Sequence, residues 1–412
     1  MTDFISLFAG AGGLDLGLSN AGWDCLYACD NDKAAIATLR ANLGNANGLR
    51  RSKHAEPILA QADVATLQGR AILDQVGRRK GEVALLAGGP PCQSWSSAGH
   101  QLGFDDPRGR LMDDYIRLAR EFETRWLLLE NVRGLLTARG PSGRPGEALE
   151  HIRRRLFSEA GYQTEVALLN AADYGVPQRR VRLFLLGYRS GDAPKFPIPT
   201  HAQRRDARGL HPWVNLGDCI SGVTPPARDE ILRPSAKLAA LLADIRPGSG
   251  VRSPGKKETT RPGGHWGYKQ GAFVADPKLP ARTVTANAQQ DWIRDPKLGL
   301  RKLSIRECAA LQTFPVDWQF VGSQADQRRL IGNAVPPLLA KALGQALRAH
   351  ALVPPKAKAS ALAARDLQPL PEKLAAAIRY TQKEEDRNGA SRRLAPQRRR
   401  VRTARIGAAL SA

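Results

Sequence analysis

Short apolar runs alternate with amphipathic stretches along the first half of the chain. The runs at residues 4–8, 25–29, 83–87, 126–129 and 181–186 have the length and composition of buried strands. Stretches with helical spacing lie between the first of them, at 14–21 and 32–42. Strands separated by helices predict an α/β fold in which helices cover both faces of a parallel sheet.

The pattern changes twice further along. Residues 188–301 are rich in Pro, Gly, Arg and Lys and show few clear periods, which predicts a separate, irregular domain or an insertion. Helical spacing returns at 304–311, where Ser304 and Glu307 form a capping box, and another helix should begin at Pro336-Pro337. We therefore divide the chain into domains at 1–187 and 188–301, a return to the first domain at 302–352, and a basic, partly disordered tail at 353–412.

Charge narrows the choice of partner. The formal net charge is +23 and the pI is about 10.4, which predicts a polyanion. Nucleic acid comes before an anionic membrane, because no basic amphipathic helix with an aromatic face stands out. The tail after residue 352 carries 14 Lys or Arg and five Asp or Glu residues. Attraction to DNA and simple solubility explain that tail equally well.

The number and spacing of the cysteines, together with the hydropathy of the chain, indicate the cellular compartment of the protein. Five cysteines are present, with no spacing typical of a disulfide or zinc framework, so a reducing cytosol is expected. Cys25 and Cys29 fall in a predicted strand and suit packing. No apolar run reaches about 18 residues, and the amino terminus lacks a basic region, so neither a membrane span nor a signal peptide is expected.

A glycine-rich turn, FAGAGG at residues 8–13, follows the first strand. Such glycines permit a tight turn and close approach of the backbone to a nucleotide-like ligand. Asp15 replaces the third glycine of a dinucleotide fingerprint, so a plain loop is the alternative. Asp30 ends the second strand, where a carboxylate can bind ribose hydroxyls or cap the helix that follows.

Two motifs at strand ends offer catalytic groups. Cys92 lies in GGPPCQ after a strand, in a rigid and polar context that favours a reactive thiolate over a packing role. The composition of residues 94–109 suits a loop that closes over substrate. Glu130 opens ENV after another strand. Its carboxyl group could donate a proton, cap a helix or form a salt bridge.

Two further motifs lie later in the chain. In QRRVR, strand alternation places Gln178, Arg180 and Arg182 on one face, which predicts three polar groups aimed at a cleft. The other motif is GNAVPP at residues 332–337.

In this order, FAGAGG, PPCQ, ENV, QRRVR, RKLSIRECAALQTFP and GNAVPP resemble the DNA cytosine-5 methyltransferase family over residues 3–352. The resemblance implies a Rossmann-like class I methyltransferase sheet, with residues 188–301 as a target-recognition domain. It implies S-adenosylmethionine as methyl donor and no metal. It assigns the cofactor pocket to Phe8, Gly10, Gly12, Asp30, Asp63, Val64, Pro91, Leu111, Asn333 and Val335. It assigns catalysis to Cys92, Glu130, Arg180 and Arg182.

The family resemblance also implies a mechanism and partners. Cys92 would add to carbon 6 of a flipped cytosine, Glu130 would act at N3, and Arg180 or Arg182 at O2. The segment at 281–286 resembles an element of the family's target-recognition domain. We expect double-stranded DNA as substrate and a monomeric, cytoplasmic and nucleoid-associated protein, with a cognate restriction endonuclease as a candidate partner.

Three alternatives remain at this stage. A transfer-RNA cytosine-5 methyltransferase has a shorter variable region than this chain. A catalytically inactive DNA-binding regulator would not need Cys92 and Glu130. A nicotinamide dehydrogenase shares the glycine-rich turn and leaves PPCQ and ENV unexplained.

Overall fold

The computed structural model describes residues 2–45, 48–49, 56–91, 110–189, 193–203, 209–252, 271–287, 290–351 and 366–394, with side chains in the last range as far as 383. Its centre is a seven-stranded sheet of order β3-β2-β1-β4-β5-β8-β6. These strands are β1 Asp3–Leu7, β2 Asp24–Asp30, β3 Ile58–Gln61, β4 Leu85–Gly88, β5 Trp126–Val132, β6 Gln163–Asn170 and β8 Val181–Tyr188.

The strand directions correct one prediction. The first five strands of the sheet are parallel, but β8 is antiparallel to both β5 and β6. Only residues 171–180 separate β6 from β8, and a parallel crossover needs a dozen or more. The predictions also missed β3 and β6, whose apolar runs at 58–60 and 166–169 are only three and four residues long, and placed β4 about two residues too early.

Helices cover both faces of the sheet, as predicted. One apolar core lies under α1, α2 and α8 to α10, and the other lies under α3 to α5. The helices are α1 Gly13–Asn20, α2 Lys33–Ala41, α3 Gly69–Gln75, α4 Arg110–Phe122, α5 Glu147–Ala160, α6 Leu216–Ser221, α7 Ala236–Ala243, α8 Ile305–Leu311, α9 Gln324–Asn333, α10 Pro337–Ala351 and α11 Glu372–Leu394.

Two local predictions about helix starts are confirmed. The Ser304 hydroxyl accepts a hydrogen bond from the Glu307 amide, and the Glu307 carboxylate accepts one from the Ser304 amide, so both halves of the capping box form. Helix α10 begins at Pro337, whose missing amide hydrogen is harmless in a first helical turn. No helix in the described ranges is both long and apolar enough to cross a bilayer.

The region after residue 188 builds a second, smaller sheet of order β11-β12-β14-β15. Its apolar core is small, with Leu242, Ile245, Val274 and Trp292 as its buried members. The remaining strands of the chain are short. They are β7 Gln178–Arg179, β9 His201–Ala202, β10 His211–Pro212, β11 Ser249–Gly250, β12 Phe273–Val274, β13 Ala281–Arg282, β14 Trp292–Asp295 and β15 Gly299–Lys302.

Two kinds of contact join this region to the main sheet. Strand β13 pairs with β7, which lies just before β8. Val284 and Ile293 are buried in the same apolar core as β1 and α10. Residues 281–286 therefore connect the two parts of the chain. The basic stretch at 253–267 lies outside the described residues.

Candidate active site

The glycine-rich turn leaves β1 at the carboxyl edge of the sheet. Gly10 and Gly12 have φ angles of 56° and 77°, in the left-handed region that favours glycine. A Cβ on Gly12 would stand 2.5 Å from Leu39 Cδ2, whereas a Cβ on Gly10 would meet no atom of the described residues within 4 Å. Phe8 also has a positive φ, 57°, which is rare for a bulky residue. Gly12 is thus favoured by its left-handed backbone and by its closeness to Leu39, while Gly10 has space beside it among the described residues.

Asp30 holds this turn in place. One carboxylate oxygen accepts a hydrogen bond from the Gly10 amide and the other accepts one from the Asp32 amide, each at 2.9 Å. Burial raises the pKa of Asp30, and these two amide donors oppose that rise. The cap of α2 is Asp32, whose carboxylate accepts from the Ala34 amide. Asp30 therefore belongs to the turn rather than to the helix cap.

Asp63 and Val64 follow β3 at the same edge. The Ala62 amide donates to the Asp30 carbonyl at 3.0 Å, which brings the two segments together. Asp63 is exposed and its carboxylate accepts from the Ala65 amide at 3.0 Å, while Val64 is buried. An exposed carboxylate beside a buried apolar side chain can contact both the polar and apolar parts of a ligand.

Glu130 and Arg182 form a buried ion pair at the carboxyl end of β5. Arg182 Nε lies 3.1 Å from Glu130 Oε1, and the two side chains are 15% and 12% exposed. The antiparallel register sets Arg182 opposite Val132, so it is a diagonal neighbour of Glu130 on one face. Burial raises the pKa of Glu130, while the positive charges of Arg182 and Arg180 lower it. The carboxyl group is thus held where it can carry or share a proton.

The segment before Cys92 packs directly against this pair. A Cβ on Gly89 would stand 3.0 Å from Glu130 Oε2, so a glycine permits the close approach. The Asn131 side-chain amide donates to the Pro90 carbonyl at 3.2 Å, and its oxygen accepts from the Val132 amide. The sequence motifs did not predict a role for Asn131. The only indication in the sequence was its position, directly after the carboxylate that ends a strand.

Gln178 and Arg180 are placed differently from the prediction. Arg180 lies between β7 and β8, so the three polar residues do not alternate along one uninterrupted strand. Gln178 is fully buried; it accepts from the Val284 amide and donates to the Leu311 carbonyl, each at 2.9 Å. Arg180 donates to the carbonyls of Val284 and Gly332 at 3.1 and 2.9 Å. Both side chains cross-link buried backbone.

GNAVPP closes against the glycine-rich turn. A Cβ on Gly13 would lie 2.2 Å from the Val335 carbonyl oxygen, so the two backbones touch. A Cβ on Gly332 would lie 2.2 Å from the carbonyl carbon of Thr285, in the 281–286 segment. Asn333 is exposed at the end of α9, and Val335 is buried. This contact brings Val335 next to Gly12-Gly13, more than 300 residues away in sequence.

The remaining predicted site residues are less defined. Leu111 is half-buried in the first turn of α4, and Pro91 is half-buried at the end of the segment after β4. Cys92 and the closing loop at 94–109 lie outside the described residues.

The four described cysteines are free thiols, and burial raises the pKa of Cys29 and Cys308 to about 12. Among the described residues, no cluster of potential metal ligands is present.

The strand order, the reversed β8 and a glycine-rich turn after β1 define a Rossmann-like class I methyltransferase fold. Solved structures of other methyltransferases have the same fold. An Entamoeba histolytica methyltransferase, EhMeth, has a TM-score of 0.58 at 13% identity and covers 85% of this chain and 99% of its own. Spodoptera frugiperda DNMT2 has a TM-score of 0.57 at 17% identity, with coverages of 84% and 100%. At such identities the likeness shows the fold.

The sequence shows the family. The C-5 cytosine-specific DNA methylase model matches residues 2–349, and the protein belongs to this family of methyltransferase enzymes. Type II methyltransferase M1.HphI of Haemophilus parahaemolyticus is 32% identical over 350 residues, covering 84% of this chain and 86% of the relative. Type II methyltransferase M.MthTI of Methanothermobacter thermautotrophicus is also 32% identical, with coverages of 84% and 97%.

Proposed function

We propose that this enzyme transfers a methyl group from S-adenosylmethionine to carbon 5 of a flipped cytosine in a specific duplex DNA sequence. The buried Glu130–Arg182 pair carries the proposal. It lies against the Gly89-Pro90 segment that leads to Cys92, at the same sheet edge as the glycine-rich turn. Because similar proteins are type II methyltransferases, we place the enzyme in a restriction-modification or other prokaryotic DNA-methylation system, with a cognate endonuclease as a possible partner.

The carboxyl edge fits S-adenosylmethionine. Gly10 has space beside it among the described residues, and Asp30 and Asp63 supply carboxylates beside the buried Val64. When bound there, S-adenosylmethionine supplies an electrophilic methyl group. We assign its binding to the residues given by the family resemblance, which are Phe8, Gly10, Gly12, Asp30, Asp63, Val64, Pro91, Leu111, Asn333 and Val335.

The protein's own groups would activate the base. Carbon 5 of cytosine is a weak nucleophile, so the Cys92 thiolate first bonds to carbon 6 and makes the ring electron-rich. Glu130 holds a proton or hydrogen bond at N3, and Arg182 stabilises negative charge at O2. After carbon 5 is methylated, a base or water removes its proton and the Cys92–C6 bond breaks, which restores the aromatic ring. Arg180 contributes its positive charge, which lowers the pKa of Glu130.

A base in a duplex must leave the stack to reach this edge, which costs a few kcal/mol. Lys and Arg residues of the 188–301 region would bind phosphates, and a smaller number of side chains would read base edges. The pairing of β13 with β7 supports this arrangement, because it ties that region to the strand beside Arg180 and Arg182.

Tritiated methyl transfer from S-adenosylmethionine to duplex DNA and to transfer RNA tests the proposal. We expect incorporation into DNA, at carbon 5 of cytosine in one sequence, which bisulfite sequencing of DNA from expressing cells identifies. Cys92→Ser should abolish transfer, whereas Cys219→Ser, at a half-buried cysteine in α6, should not. Transfer confined to RNA, or full activity in Cys92→Ser, would contradict the proposal.

A further inference from the structure

Part of the carboxyl-terminal tail is folded onto the methyltransferase domain. Gln163, the first residue of β6, donates to the Asp366 carbonyl at 3.0 Å and accepts from the Gln368 amide at 3.1 Å. Arg153 of α5 is buried and donates to the Gln368 carbonyl at 2.6 Å. Three hydrogen bonds thus attach the chain at 366–368, beyond the last residue matched by the family model.

Helix α11 continues this attachment through apolar contacts. Leu374 is 7% exposed and belongs to the core under α3 to α5. Ala377 and Ile378 pack against the same core, so positions i, i+3 and i+4 of the helix share one buried face. Ile378 lies over Gly146, where a Cβ would come within 2.8 Å of its Cδ1. The absence of a side chain at Gly146 accommodates this contact.

The order of these contacts gives the direction of α11. Gln163 begins β6, which is parallel to β5, so 366–368 lies at the amino edge of the sheet. Gly146 is the N-cap of α5, which follows the carboxyl end of β5, so Ile378 lies toward the carboxyl edge. Helix α11 therefore runs toward the edge that holds Glu130. It continues for 16 residues beyond Ile378, about 24 Å at 1.5 Å per residue.

The charge of the tail is concentrated beyond the docked part. Residues 387–412 contain eight arginines and no acidic residue, whereas the three consecutive acidic residues Glu384, Glu385 and Asp386 come just before them. Arginine binds phosphate oxygens through a planar, bidentate fork. The polycation thus begins nine residues after Ile378, beyond the docked face formed by Leu374, Ala377 and Ile378.

We propose that α11 is a docked arm that delivers residues 387–412 to the phosphates of the duplex held at the carboxyl edge. This rests on the proposed function, because it takes that edge as the DNA-binding side. It adds a second, defined contact with the sugar-phosphate backbone outside the 188–301 region. The arm increases affinity for any duplex and leaves sequence choice to the other contacts.

Salt dependence of DNA binding measures the arm directly. Full-length protein is compared with a chain that ends at Asp386, with a non-cognate duplex and without methyl donor. Each neutralised phosphate adds about 0.9 to the slope of log affinity against log salt. If about half of the eight arginines are engaged, the slope falls by about 3 to 4 and affinity near 0.1 M salt falls tenfold or more. An unchanged slope overturns the proposal.

Two matched variants separate a placed arm from diffuse charge. Arg398→Gln/Arg399→Gln/Arg400→Gln removes three charges beyond the docked segment. Lys356→Gln/Lys358→Gln/Arg365→Gln removes three charges before it. We expect the first variant to lower the slope by about 2 to 3 and the second to leave it unchanged. Equal effects would mean that the tail acts by net charge alone.

A third variant tests the docking itself. Leu374→Ser/Ile378→Ser keeps every charge but removes the apolar contacts of α11, and we expect duplex affinity to fall toward that of the shortened chain. Full affinity, or preference of the arm for phosphatidylserine vesicles over duplex at equal salt, overturns the proposal. Failure of methyl transfer with the salt effect intact would instead contradict the proposed function.

Discussion

Asn131 donates a hydrogen bond from its side-chain amide to the backbone carbonyl of Pro90 at 3.2 Å. This bond joins the end of β5 to the segment after β4, between the carboxylate of Glu130 and the approach to Cys92. Asn131 is 1% exposed and its oxygen also accepts from the Val132 amide. The two strand ends that supply the proposed acid and nucleophile are therefore held together by one side chain.

Asn131→Ala should reduce methyl transfer more than it reduces folding stability. Loss of the bond leaves the Pro90 carbonyl without its partner, at a stability loss of about 1–3 kcal/mol. The misplaced nucleophile should lower kcat about a hundredfold. Single-turnover methylation and urea unfolding measure the two effects, and S-adenosylmethionine affinity serves as the control. Normal kcat in Asn131→Ala would show that the bond does not position Cys92.

Arg182→Gln should shift the pH dependence of methyl transfer. Burial raises the pKa of Glu130 and Arg182 opposes this, so removing Arg182 raises that pKa further. If Glu130 acts protonated, activity declines as pH rises through its pKa, and the declining limb moves to higher pH in the variant. Its kcat should also fall by about a hundredfold, since a stabilising charge is lost. A declining limb of the pH–activity curve that stays at the same pH in Arg182→Gln would contradict this prediction. As a control, Glu130→Gln should show no such decline.

Asp30→Ala should weaken binding of S-adenosylmethionine about tenfold or more. The carboxylate holds the Gly10 amide, so its loss loosens the turn as well as removing a ligand-binding group. Asp24→Ala is the matched control, because Asp24 begins the strand that Asp30 ends. Isothermal titration of each variant gives the comparison. Equal affinities in the two variants would remove Asp30 from the cofactor site.

Asp15→Asn should stabilise the protein at alkaline pH. Asp15 is fully buried, and burial raises its pKa to about 6 even though the neighbouring Ser6 hydroxyl lowers it. Because the folded pKa exceeds the unfolded value, protonation favours folding at low pH, and that benefit is lost as pH rises through about 6. The variant should gain up to about 3 kcal/mol over wild type between pH 4 and pH 8.

Urea unfolding at several pH values measures the Asp15 effect. Asp244→Asn, at the exposed end of α7, controls for general charge effects. A constant difference between Asp15→Asn and wild type across this range would argue against a buried, titrating Asp15.

The sequence predicted those elements that depend on interactions between residues close together along the chain. Apolar runs located β1, β2, β5 and the core of β8, and the Ser304–Glu307 box located the start of α8, because burial and capping act over a few residues. Strands β3 and β6 were missed because their apolar runs are only three and four residues long and each ends in a polar residue. Ala-rich composition after residue 354 predicted helical stretches in the tail, but it did not give the bounds of α11, because the apolar face of this helix is short and lies among polar and basic residues.

By itself, the sequence determined the family, the order of the motifs and the chemical groups present. These groups are one cysteine after a proline pair, a carboxylate at a strand end, and the polar side chains of Gln178, Arg180 and Arg182. Tertiary structure decided which of these side chains contact one another. The antiparallel register of β8 brings Arg182 to Glu130, while the break between β7 and β8 turns Arg180 toward Val284 and Gly332. Which strands become neighbours depends on pairing and burial between segments that are distant along the chain, and an apolar run marks a strand without specifying its neighbour.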